Sequence, residues 1–258
     1  LTLTQTLIGT ALDISGDIDV DGTTNLDIVD IDVSLDVNGT IKLDGNYPTG
    51  SDNVALGNTA LDSVQGGGSG NTAIGNNALT AVTTADENTA VGQNTLRTNL
   101  ASKNTAVGAS ALCANDNGYD NTAVGRNSLN KNTGGYGNTA VGSCASECNI
   151  SGDFNVSVGY AALLANTTAN NNVAVGNVAL TTNTTGTSNV SVGANSLQFS
   201  TTASNNTAVG ACSLNANTTG ASNVAMGTNA LDANTTGAGS TAVGYQALCA
   251  NTTGSNNT

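Results

Sequence analysis

The 258-residue chain carries 18 acidic and 5 basic side chains, no histidine, no tryptophan, 3% aromatic residues and 32 glycines. A net charge of −13 excludes nucleic acid and anionic membrane as partners, because both need basic patches that five scattered cations cannot form. Regularly spaced Val and Leu set the chain apart from a disordered acidic polymer, and the lack of histidine removes the commonest general base and metal ligand.

Residues 1–48 form a first region, in which apolar and acidic residues alternate, as in Asp17-Ile18-Asp19-Val20-Asp21, the period of strands with one wet face. Leu12 to Gly22 matches Leu35 to Gly45 at an offset of 23 residues, which predicts a short β-rich shaft or cap segment covering the first edge of the downstream region. Its start lacks the basic residues and continuous apolar stretch of a signal peptide. That predicts export by another route or a longer natural chain. Asp17, Asp19 and Asp21 match the first half of a calcium loop, but the twelfth position, which should be a bidentate Glu, is Ile28. They read more simply as a solvated strand face, and no cofactor is expected.

The second region, residues 49–258, opens after Tyr47-Pro48 and is a repeat array. Asn-Thr/Val-Ala/Ser-Val-Gly ends at Gly57, Gly75, Gly92 and Gly108, and from there recurs every 17 residues to Gly244. A Leu follows four positions after each glycine, with Ser146 the exception, and later units close on Asn-Thr-Thr-Gly. Asn88, Val91, Gly92 and Leu96 in one unit and Asn104, Val107, Gly108 and Leu112 in the next define the pattern. Seventeen residues are too few for a helical hairpin, whereas two short β-compatible runs bounded by Gly and Asn describe one coil of a solenoid. The predicted fold is therefore all-β: a parallel β-solenoid (β-roll) of twelve roughly 17-residue coils, preceded by the short β-rich segment. Twelve coils stack to about 58 Å, with the motif Asn residues in an amide ladder.

One Val and one Leu per coil make a thin core. Burying each contributes about 1.5–3 kcal/mol, against about 1–2 kcal/mol per residue for ordering the backbone. The expectation is a homotrimer, with the small Ala90, Ala106 and Ala123 beside each Val letting a neighbouring chain approach. The chain stops at Asn256-Asn257-Thr258, where another motif begins, which predicts further coils beyond it.

On these residues a resemblance can be drawn. Asn-Thr-Ala-Val-Gly at 88–92 and 206–210 resembles the Ser-Val-Ala-Ile-Gly coil motif of trimeric autotransporter adhesin heads, which fold as left-handed parallel β-rolls in trimers. It is also similar to Asn-Thr-Ala-Val-Gly-x-x-Ala-Leu arrays in tail-fibre-like proteins of marine bacteriophages. The resemblance covers about residues 53–258 and departs from the adhesin heads in its longer coil. It implies a structural fibre protein of a virion, a tail or head fibre acting as a stiff extracellular spacer for host attachment. The partners are then its own copies, other fibre or virion proteins, and host surface glycans. The alternative is a bacterial trimeric adhesin or surface filament, and a further one a polysaccharide-degrading tailspike.

Within the array, Asp116, Asp120, Glu147 and Asp153 lie in neighbouring coils and are candidates for the paired carboxylates of such a tailspike; they read more simply as surface charge, so no catalytic residue is expected. Glu87, Lys103 and Asp120 each precede a motif Asn and should share a column. Tyr119 and Tyr136 fall six residues before successive repeat glycines, so they too should stack. With Phe154 nearby they are candidate glycan contacts, or else a ring ladder filling a loop. Ser146 marks the coil from Gly142 to Gly152 as the expected local irregularity. Cys144 and Cys148 flank it, and free thiols are favoured over a bridge there. Sequons such as Asn166-Thr167-Thr168 and Asn217-Thr218-Thr219 arise from repeat composition.

Overall fold

The computed structural model describes residues 51–64 and 67–258. Its strands are three residues long: β1 Val54–Leu56, β2 Thr72–Ile74, β3 Thr89–Val91, β4 Thr105–Val107, β5 Thr122–Val124 and β6 Thr139–Val141. They continue as β7 Val156–Val158, β8 Val173–Val175, β9 Val190–Val192, β10 Thr207–Val209, β11 Val224–Met226 and β12 Thr241–Val243. All twelve form one parallel sheet in chain order, with like residues paired, as in Ala106↔Ala123. This is the expected β-solenoid.

Strands this short hold because the rest of the coil is also bonded along the stack. In the coil of Gly92, the N–H groups of Gly92 and Asn94 donate back to Ile74 and Asn76 (2.7 and 2.9 Å), while Leu96 N–H donates forward to Ala111 (3.1 Å). Backbone groups turn along the axis in this way because the chain repeatedly enters the left-handed region, at Gly92 (φ 134°), Asn94 (56°), Leu96 (49°) and Lys103 (64°). Asn adopts that region readily. Leu does not, and each such residue stores on the order of 1 kcal/mol of strain, offset by the bond it permits and by burial of its side chain. The repeat glycine is under a second constraint. A methyl group placed on Gly125 would lie 2.5 Å from the Gly142 carbonyl oxygen, so the glycine column is where successive backbones approach most closely.

The interior differs from the expectation in one respect. From the second strand on, the central Ala or Ser points inward and is buried, as at Ala90, Ala106 and Ala123, whereas the following residue, mostly Val, faces outward, with Val107, Val124 and Val141 each 37% exposed. The small residues thus fill the coil, and the Val column lies on the outer sheet face. A three-residue strand starting after the buried motif Asn puts its middle residue inside. The core is built of that Ala, the Leu column, fully buried from Leu61 to Leu231 except where Ser146 replaces it, and a second Ala column such as Ala78 and Ala111.

Asparagine ladders complete the interior. The motif Asn residues are buried, and the Oδ1 of each accepts the backbone N–H of its counterpart in the next coil, as Asn104 does from Asn121 (3.1 Å). Its Nδ2 donates to a main-chain carbonyl of that same coil, from Asn104 to Gly118 at 2.8 Å. The expected ladder is present, but its most regular bonds run from side chain to backbone. A second, unanticipated ladder joins Asn99, Asn115, Asn132, Asn149, Asn166 and Asn183 by direct amide–amide bonds of 2.6 to 3.3 Å. Each member after Asn99 also closes its own turn, as Asn132 Nδ2 does on the Gly135 carbonyl at 2.8 Å.

Candidate functional site

Ser146 occupies the Leu column with a nearly Leu-like backbone, φ 47°, and its N–H still donates to Ala162 (2.9 Å). The expected irregularity is therefore in the interior and not in the path of the chain. Ser146 Oγ donates to Ser157 Oγ at 2.9 Å, and the apolar core divides at this level into one cluster ending at Ala145 and another beginning at Ala162. A comparable pair, Ser191 and Ser196, bonds at 2.5 Å.

The cysteines are all free thiols. Cys148 Sγ lies 3.6 Å from Lys131 Nζ of the preceding coil, and Cys144 Sγ lies 3.7 Å from Ser143 Oγ. Desolvation pushes the Cys144 thiol above its ordinary range, and the neighbouring Glu147 carboxylate adds to the rise. It is thus a poor nucleophile.

Asp116, Asp120, Glu147 and Asp153 occupy four different positions of the coil, and Asp153 Oδ1 is engaged by the Tyr136 N–H (3.0 Å). The fold gathers no carboxylate pair from them by repeat register. Among the described residues no group of three or more His, Cys, Asp and Glu side chains could hold a metal ion; Asp17, Asp19 and Asp21 lie outside the described residues. Glu87, Lys103 and Asp120 share one column, each left-handed (φ 58°, 64° and 55°). The sequon residues Asn166 and Asn217 are fully buried ladder members, closed to glycosylation in the folded chain.

Two surface features remain. The first is the outer sheet face, where the first and third residues of every strand are Thr, Val, Leu, Ile or Met, an uncharged stripe along the whole stack. The second is an aromatic corner. Tyr119 and Tyr136 stack with ring centroids 4.8 Å apart and planes within 8°, as their shared column predicts. Their backbones are fixed in register by Gly137 N–H donating to the Tyr119 carbonyl (3.1 Å) and Phe154 N–H to that of Tyr136 (3.1 Å). Phe154 lies one column over and meets Tyr136 edge-on, at 5.0 Å and 79°. Gly137 is what admits it, since a methyl group there would fall 2.8 Å from a Phe154 ring carbon. Counting columns cannot foresee that contact, because it depends on the missing side chain. No protein-family model matches the chain, and no curated protein matches it either.

Proposed function

We propose that the chain is a structural fibre protein: a stiff, non-catalytic rod that assembles with two further copies as a parallel homotrimer and serves on a virion surface, as a tail or head fibre, as the spacer for host attachment. The uncharged outer sheet face carries this reading. Three-residue strands stacked twelve deep make a stripe about 10 Å wide and about 53 Å long, or about 500 Å², at the upper end of what monomers leave exposed. Identical columns on a second and third copy repeat at the same spacing, so parallel copies offer Val to Val and Thr to Thr over the full length. Packing three stripes about one axis adds the apolar burial that a coil with one Leu and two Ala lacks. The likeness of the Asn-Thr-Ala-Val-Gly array to tail-fibre and adhesin-head repeats supports a trimer outside the cell, and that to tail fibres a virion.

The test is to introduce Val107→Asp, Val124→Asp and Val141→Asp together. These side chains lie on the outer face, each 37% exposed, so the sheet signal in circular dichroism should persist while the mass falls to that of one chain. A variant that keeps the parent mass refutes assembly through this face.

A further inference from the structure

Aromatic residues are scarce in this chain, five Tyr and two Phe, yet Tyr119, Tyr136 and Phe154 meet at one corner of consecutive coils. The coil itself does not require rings there. Ser102, Thr187 and Ser204 fill the Tyr column in other coils, and Asn171, Ser188 and Asn205 the Phe column. Nor do the rings bury themselves, since Tyr119 is 45% and Phe154 54% exposed. Phe154 is moreover held in the left-handed region, φ 54°, in the column that holds Glu87, Lys103, Asp120 and Gly137 in the preceding coils and Asn171, Ser188 and Asn205 in the following ones. An exposed, apolar, strained residue in a column that other coils fill with polar residues or glycine marks a site with a use for the ring.

The geometry points to a lateral carbohydrate-binding platform at this corner, taking an uncharged oligosaccharide. The apolar C–H face of a pyranose ring is complementary to an aromatic face. Tyr119 has such a face on the side of the preceding coil, whose residue in that column is the small Ser102, and Phe154, turned across the stack, presents another. Sugar hydroxyls need acceptors beside the rings. Asp120 adjoins Tyr119 and is exposed, and Asp153 adjoins Phe154 with Oδ1 engaged by the Tyr136 N–H, leaving Oδ2 for a ligand. The same two carboxylates, on a chain of net charge −13, repel uronic and sialic acids. The platform lies outside the outward strand face, so it works in one chain or in an assembly.

Binding of cello-, xylo- and chito-oligosaccharides, with alginate oligomers as the acidic set, tests this by titration calorimetry on the full chain. The comparison is the triple variant Tyr119→Ser, Tyr136→Ser, Phe154→Asn, built from residues that the same columns already hold. At least one uncharged set should bind, alginate should not, and the variant should lose binding at least tenfold with its melting temperature held within a few degrees. Binding that survives in the variant, preference for alginate, or no binding of any uncharged set overturns the proposal. A large fall in melting temperature without sugar binding would instead make the rings a structural ladder.

Discussion

At the scale of single residues, the stack is a set of columns, and a column shows its rules where one member breaks them. Ser200 replaces Asn in the second amide ladder. Its short side chain cannot span to the neighbouring coils, and both Ser200 Oγ and Asn183 Oδ1 are left buried without a partner. An unsatisfied buried polar atom costs about 1–3 kcal/mol, so Ser200→Asn should stabilise the chain by roughly that amount, read as a rise in the urea midpoint at unchanged slope. The glycines make a second contrast. Gly125 has φ 132° and the next backbone against it, whereas Gly118 is crowded but not left-handed, and its column accepts Ala85, Ala169 and Ala203 elsewhere. Gly125→Ala should cost roughly 3–5 kcal/mol, the range of the severest substitutions, and Gly118→Ala clearly less; equal losses in urea unfolding would contradict the column account. The motif Asn ladder and the glycine bend were legible in the sequence because one residue type recurs at one spacing. The second ladder was not, since Asn followed by Thr-Thr-Gly reads as an ordinary turn, and no pattern announces a Leu in the left-handed region.

At the scale of the coil, repeat length matters less than register. Thr89 pairs with Thr105 across a coil one residue short, and the loss falls in the turn, where Asn99 Nδ2 reaches the carbonyl two residues on instead of three. The sheet is therefore insensitive to a length change that the sequence displays plainly. The Ser146 coil is sensitive in the opposite way, as its backbone is regular but its core is cut. Ser146→Leu with Ser157→Ala restores both columns and should stabilise by about 2 kcal/mol, the worth of a buried Leu side chain. Ser146→Leu alone should gain less, because Ser157 loses its 2.9 Å bond and keeps only the 3.5 Å one to the Thr139 carbonyl. A double variant no more stable than the single one in thermal unfolding would show that the serine pair is not what divides the core. That Ser146 was a defect could be read from the sequence; that Ser157 answers it could not, because the pairing depends on which strand residues face inward.

For the array as a whole, the parallel order of the stacked strands and the absence of helix among the described residues were legible from the repeat. The orientation of its strands was not, since Ala-Val alternation fits either face and the larger residue is the natural choice for a core. Turning the Val column outward moves apolar surface from the inside of the coil to its outer face, where the proposed trimer would bury it. The Tyr column was foreseen from spacing, and the Phe154 contact was hidden by its dependence on Gly137. The most direct test of the account is the mass of the folded chain in solution by light scattering. Assembly through the outer face predicts a value near three times the chain mass of 25.2 kDa. A fully folded species of a single chain mass would contradict it.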